Sequence, residues 1–179
     1  SSPNTESLRD FHEQEKLKDL LLALNKIKKE NKTDTPLLLK VSPDIKDNNI
    51  SEIVDVATKN DIAAIILTNT TNGNRDNLRS EVKKEEGGLS GEPLQQISTN
   101  MIKKFYKQLN GKIPIIGVGG VNSGKSAYEK IIAGASLLQL YTSFVYRGPS
   151  IAKDIKKELI QILKTEGLSN IKEAIGKGA

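Results

Sequence analysis

The sequence predicts an α/β fold built as half of a (β/α)8 barrel, and three observations lead there. Short apolar runs alternate with amphipathic helical patterns from Leu17 onward. Runs such as "IAAIILTNTT" and "IPIIGVGG" are apolar along their length rather than at every second residue, the mark of parallel strands covered on both faces. The unusual residues all stand where a run ends: Lys40, then Thr68, Asn69 and Thr70, then Gly119 and Gly120, then Tyr141 and Thr142. In a (β/α)8 barrel that C-terminal rim carries the chemistry.

Leu17, Leu20, Leu21, Leu24 and Ile27 recur at helical spacing and predict the first helix. "PLLLKVSPD" is an apolar run stopped by Pro43, hence a buried strand. Ile50, Ile53, Val54 and Ala57 mark the next helix, and "IAAIILTNTT" the second strand. A long polar loop runs from about Asn72 to Pro93, followed by a helix carrying Ile97, Met101, Phe105 and Leu109. "IPIIGVGG" is the third strand, Tyr128, Ile131 and Ile132 mark its helix, and "SLLQLYTS" is the fourth strand. Ile151, Ile155, Leu159 and Ile162 place a last long helix, with a short one near Ile171 to Ile175. The opening "SSPNT" reads as the exit of a further strand. Four units make half a barrel, and a whole one takes ~250 residues. Residues 1–179 are therefore expected to form one half of a single domain, with about four strands upstream.

Composition excludes several classes. The chain is 36% hydrophobic and 27% charged, ordinary for a protein with a sizeable core. Net charge is +5, but the lysines lie among acids on helical faces, as in "KIKKENK", and form no basic stripe with aromatics. No nucleic-acid partner is expected. Without cysteine there is no disulfide, thiol catalysis or cysteine metal site, and one histidine, His12, builds no histidine metal site. No stretch approaches the ~20 apolar residues of a membrane span, and no signal peptide is visible.

"GGVNSGKS", Gly119 to Ser126, matches the Walker A nucleotide pattern. A Walker enzyme also needs a magnesium ligand, usually an acid ending a later apolar strand. The one later strand ends in Tyr141, Thr142 and Ser143, without an acid. The barrel reading uses the same glycines to approach a phosphate and leaves Lys125 facing solvent.

Taken together, "SSPNT", "LLLKVSPD", "ILTNTT", "GGLSGEPL", "IPIIGVGGVNSGKSAYEKIIAGAS" and "LQLYTSFVYRGP" resemble dihydroorotate dehydrogenase, in order and through essentially the whole chain. The resemblance implies that the chain runs from the end of barrel strand four through strand eight. Ser2, where the soluble class has cysteine, is similar to class 2, the membrane-associated, quinone-reducing enzymes. That class implies (S)-dihydroorotate as substrate, orotate as product in UMP synthesis, FMN as cofactor and a membrane quinone as electron acceptor. It implies peripheral attachment to a bacterial inner membrane, on its cytoplasmic side, or to the mitochondrial inner membrane, through an N-terminal helical extension absent from this chain.

By the same resemblance Ser2 is the base that takes the substrate's C5 proton while hydride leaves C6. Asn4, Asn69 and Thr70 bind the pyrimidine ring and carboxylate, and amides suit a ring edge that alternates donors and acceptors. Lys40 stands beside the flavin N1 and O2 edge. Thr68, Gly91, Gly120, Tyr141 and Thr142 are FMN contacts, with the Gly120 and Tyr141–Thr142 turns holding the phosphate. Bare chemistry also marks Lys40, because a lysine inside an apolar strand is an expensive core residue unless paired. One departure falls at Glu6 and Ser7, where the family usually has proline and glycine; it begins the flexible loop over the substrate. Alternatives are another FMN barrel, such as a dihydrouridine synthase or dihydropyrimidine dehydrogenase domain, and a P-loop nucleotide module.

Overall fold

The computed structural model describes residues 1–179 apart from Glu6, Asn74 and Asn77. After a 3₁₀ turn at Leu8–His12 the chain runs α1 (Gln14–Glu30), β1 (Leu37–Val41), α2 (Asp47–Lys59) and β2 (Ile62–Leu67). Two 3₁₀ turns, Glu81–Lys84 and Glu92–Leu94, interrupt the polar loop ahead of α3 (Gln95–Leu109). Then follow β3 (Ile115–Val118), α4 (Gly124–Ile132), β4 (Ala135–Gln139), α5 (Thr142–Arg147), α6 (Ile151–Thr165) and a last 3₁₀ turn at Ile171–Ala174.

The four strands form one sheet in sequence order, β1-β2-β3-β4, and all pairs are parallel. Parallel neighbours need a crossover, and a helix supplies each one. Register aligns the strand ends: Val41 pairs with Leu67, Leu67 with Gly117, and Gly117 with Leu138. The polar residues that follow each strand therefore emerge along one rim, as the sequence predicts.

Alternation along β1 decides what is covered. Leu37, Leu39 and Val41 turn toward the main core, where Leu17, Ile50, Ile53, Ile65, Ile102 and Phe105 pack. Leu38, 49% exposed, alternates with them onto the other face. Leu137 of β4 is likewise 63% exposed. Within this chain the helices pack on one face, and the exposure of Leu38 and Leu137 on the other is what the expected half of a barrel leaves open. Continuous apolar strands signal two buried faces, yet the cover for the second comes from none of the described elements.

Helix faces follow the spacing with local shifts. Ile50, Ile53, Val54 and Ala57 are all buried. In α3 the buried stripe takes Ser98 and Ile102 with Met101, Phe105 and Leu109, while Ile97 is exposed. In α1 Leu20 and Ile27 are exposed beside buried Leu17 and Leu21. β4 stops at Gln139, short of the predicted end, because Thr142 already begins α5. A smaller apolar cluster, Val121, Ala127, Ile151 and Ile155, seats α6 against α4.

Candidate functional site

Two groups of residues gather at the rim. The first surrounds Ser2. Its hydroxyl oxygen accepts the Asn4 backbone N–H at 3.2 Å, and Ser2 is half-buried. The Asn69 amide donates to Ser1 Oγ at 2.9 Å, and its Oδ1 accepts the Thr70 N–H at 2.8 Å. The Asn69 N–H in turn donates to Val41 O at 2.9 Å, fixing this loop to β1. Gly88 closes the group: a Cβ there would collide with Thr70 Oγ1 and lie 2.7 Å from Pro3 Cγ. Asn69 thus bonds Ser1, the neighbour of Ser2, and Thr70 faces Pro3 across Gly88, with Asn4 exposed at the margin near Gly87.

Residues the sequence reading passed over hold this group in place. Asp44 accepts from Arg9 Nη2 at 2.7 Å and the Asn72 N–H at 2.9 Å, and also from Thr71 Oγ1. Asn72 reaches on to Pro3 O at 3.4 Å. Arg75 donates to the carbonyls of Glu85 and Gly87, folding the polar loop beside a cavity of about 750 Å³ that Asn4 and Asn72 also line. His12 is buried and accepts the Ser42 N–H at 3.3 Å; burial pushes its pKa down to about 4. The acid in "SPD", at a strand exit, was a readable signal for Asp44; nothing in the sequence marks Arg75.

The second group borders a cleft of about 270 Å³ lined by Gly91, Glu92, Gly120, Asn122, Thr142, Ser143, Tyr146 and Arg147. Gly120 has φ 72°, and a Cβ there would come within 2.7 Å of Gln95 Cα. No other residue fits that combination of left-handed backbone and contact. Gly91 abuts Thr142, whose hydroxyl bonds Ser90 Oγ at 2.9 Å. One short loop, Gly87 to Gly91, therefore touches both groups.

Three expected residues sit differently. Tyr141 is 77% exposed and stands outside the cleft lining. Thr68 is buried between the ends of β2 and β3, its hydroxyl donating to Asn69 O at 2.9 Å and its N–H to Val118 O at 3.0 Å; the Leu67–Thr68 peptide is cis. Lys40 was expected as a buried lysine and is exposed, because alternation places it with Leu38 on the uncovered face.

The Walker-like stretch is put to other uses. Ser126 caps α4 in a reciprocal box with Ser123. Lys125 is exposed, as predicted. The Gly124 N–H donates to the Glu158 carboxylate of α6, so the helix end that would meet a triphosphate meets an acid instead.

The family model described as dihydroorotate dehydrogenase matches residues 1–163. This chain belongs to the dihydroorotate dehydrogenase family. It is 46% identical over 161 residues to the dihydroorotate dehydrogenase (quinone) of Christiangramia forsetii, covering 90% of this chain and 47% of that protein. The mitochondrial dihydroorotate dehydrogenase (quinone) of Arabidopsis thaliana is 43% identical over 181 residues, covering 98% of this chain and 39% of that protein. The crystal structure of DHODH from Eimeria tenella in complex with ferulenol superposes with TM-score 0.90 at 39% identity, covering 99% of this chain and 52% of that one. The ligand-free Eimeria tenella structure gives TM-score 0.92 at 38% identity, with 99% and 53% covered. The chain thus spans about half the length of the curated relatives it matches, and its parallel sheet and helices are those of a TIM-barrel family. Of the departure from the family pattern, Glu6 lies outside the described residues, while Ser7 holds φ 61°, a left-handed conformation that the family's glycine adopts without strain.

Proposed function

We propose that this chain is the C-terminal half, strands five to eight, of a quinone-dependent dihydroorotate dehydrogenase. The whole protein would oxidise (S)-dihydroorotate to orotate in pyrimidine synthesis and pass the electrons to a membrane quinone. The names of the relatives support substrate and acceptor. The observation that carries the reading is the Asn69 amide bonded to Ser1, next to Ser2, with Thr70 and Pro3 closing over Gly88 beside a second, glycine-lined cleft. Peripheral attachment to a bacterial or mitochondrial inner membrane belongs to the same reading; among the described residues no helix is long and apolar enough to cross a membrane.

The residues fit FMN. Gly91 and Gly120, packed so closely on Thr142 and Gln95 that neither takes a Cβ, line the cleft with Thr142 and Arg147, whose hydroxyl and guanidinium are groups a phosphate would use, and with one acid, Glu92. FMN supplies the hydride acceptor when bound. Thr68 and the Tyr141 backbone would brace the flavin ends of this site. Asn4, Asn69 and Thr70 would orient the pyrimidine by its alternating edge. Ser2 Oγ would take the C5 proton. A neutral serine is a weak base, so it would take the C5 proton as its own hydroxyl proton passes to water through a relay. The Asn4 N–H held at Oγ would steady the negative charge that appears as that hydroxyl proton leaves. Lys40, on the uncovered face of β1, would place a cation beside the flavin edge that gains negative charge.

The test is anaerobic mixing of the full-length protein with dihydroorotate while the visible flavin absorbance is followed. Rapid bleaching at about 450 nm, reversed by a soluble quinone, is the expected result. A colourless protein, or a flavin that dihydroorotate leaves oxidised, would overturn the assignment.

A further inference from the structure

Lys130 has no part in the reaction just described, yet it is a fully buried lysine, costly to desolvate. It is 0% exposed, and its ammonium donates to Gln95 O at 3.1 Å, Ser98 Oγ at 3.1 Å and Thr99 Oγ1 at 3.0 Å. All three acceptors are neutral oxygens. The neighbouring acid, Glu129, instead accepts from Gln95 Nε2 at 2.8 Å. Burial lowers the Lys130 pKa to about 8, so the group carries its charge at neutral pH. A buried cation bonded only to neutral partners costs stability that a hydrocarbon would not.

What it holds explains its presence. Ser98 Oγ donates to Val118 O at 2.5 Å and lies 3.3 Å from Leu67 O, so the Lys130 bond runs through one hydroxyl to the last residues of β3 and β2. Gly119 abuts the Ser98 side chain, its ideal Cβ 3.1 Å from Ser98 Cβ. Gly120 abuts Gln95, its ideal Cβ 2.8 Å from Gln95 N. Of the three residues against which the glycine turn rests, Leu94, Ser98 and Gln95, the two polar ones are therefore bonded to one ammonium. Gly120 in turn lines the cleft with Gly91 and Thr142.

We propose that Lys130 is a positioning residue for the phosphate end of the site, locking the Gly119–Gly120 turn against α3 and backing it with a positive charge, so that it sets the preference for a phosphorylated flavin over an unphosphorylated one. This rests on the reading that the cleft takes the FMN phosphate. The lysine touches no ligand itself. It acts through Ser98 and Gln95, and no carboxylate bonds it among the described residues, Glu129 acting on it only through its charge.

The test measures FMN and riboflavin affinities of the flavin-stripped full-length protein, in wild type, Lys130→Met, Ser98→Ala and the exposed control Lys125→Ala. Lys130→Met should weaken FMN by about tenfold or more, the loss of one charged hydrogen-bonded contribution, and change riboflavin by less than about threefold. Ser98→Ala should show a smaller loss of the same selective kind, and it carries the test if Lys130→Met does not fold. Lys125→Ala should match wild type. An unchanged FMN-to-riboflavin preference in Lys130→Met, or in a folded Ser98→Ala standing in for it, overturns the inference. A wild-type protein that binds neither flavin would overturn the cofactor reading beneath it.

Discussion

Ser2 and Gly120 are the positions where single atoms decide the outcome. Ser2→Ala in the full-length enzyme should leave FMN bound and slow its reduction by dihydroorotate about 10²–10⁴-fold, the usual cost of losing a general base. Stopped-flow reduction near the wild-type rate would show that the Asn4 contact is a turn serine's and nothing more. Ser2→Cys should keep part of the rate. Gly120→Val forces a side chain against Gln95 Cα and should release FMN, whereas Lys125→Ala should be silent; equal loss in both would restore a nucleotide role for the Walker-like stretch. His12, the single histidine, gives stability a pH dependence of known sign. Its folded pKa of about 4 lies below the ~6.5 of an unfolded chain, so the unfolded state takes up the proton first as pH falls. Stability should be full above ~6.5 and decline between there and about 4. His12→Asn should flatten that limb of a Tm-against-pH curve, and an unaltered limb would place the titration elsewhere.

Elements were legible wherever a stripe was long and purely apolar. α2 announces itself through Ile50, Ile53, Val54 and Ala57, all of them buried. α3 shows why others slipped. Its stripe passes through Ser98, a polar residue buried because it bonds two strand-end carbonyls, and hydrophobicity alone chose exposed Ile97 instead. In α4 the stripe runs Ser126, Ala127, Lys130 and Ile131, and a lysine in that register reads as solvent-facing until its three oxygens are seen. α5 spans only six residues, less than two turns, too short for a period to show. The candidate site was legible through motif order and Asp44 through its place at a strand exit, while the supports Arg75 and Lys130 were not, since partners 8 to 35 residues away leave no local pattern. The Ser123–Ser126 capping box predicts that Ser123→Ala, at the N-cap, destabilises by roughly 1 kcal/mol, readable in a denaturant midpoint; no shift would mean that the cap adds nothing to α4.

The whole chain carries one sheet face that its own helices leave bare, marked by Leu38 and Leu137, and β1 and β4 stand at the sheet edges. Apolar area of that kind, bordered by unpaired strand edges, associates with whatever is available. Residues 1–179 expressed alone should therefore run as oligomers or aggregates by light scattering and hold no flavin, and addition of the rest of the full-length protein should restore a defined species. A stable yellow monomer would contradict this. Asp44 ties two stretches of the rim together. One carboxylate gathers donors from residues 9, 71 and 72, so it fastens the stretch after Ser2 and the stretch after Asn69–Thr70 with a single knot. Neither can swing away while the other stays. Amide exchange in the two stretches should report one common opening rate, and Asp44→Asn, nearly the same shape with a weaker acceptor, should split it into two. Entry and exit over this rim would then be timed by a group that never meets the substrate.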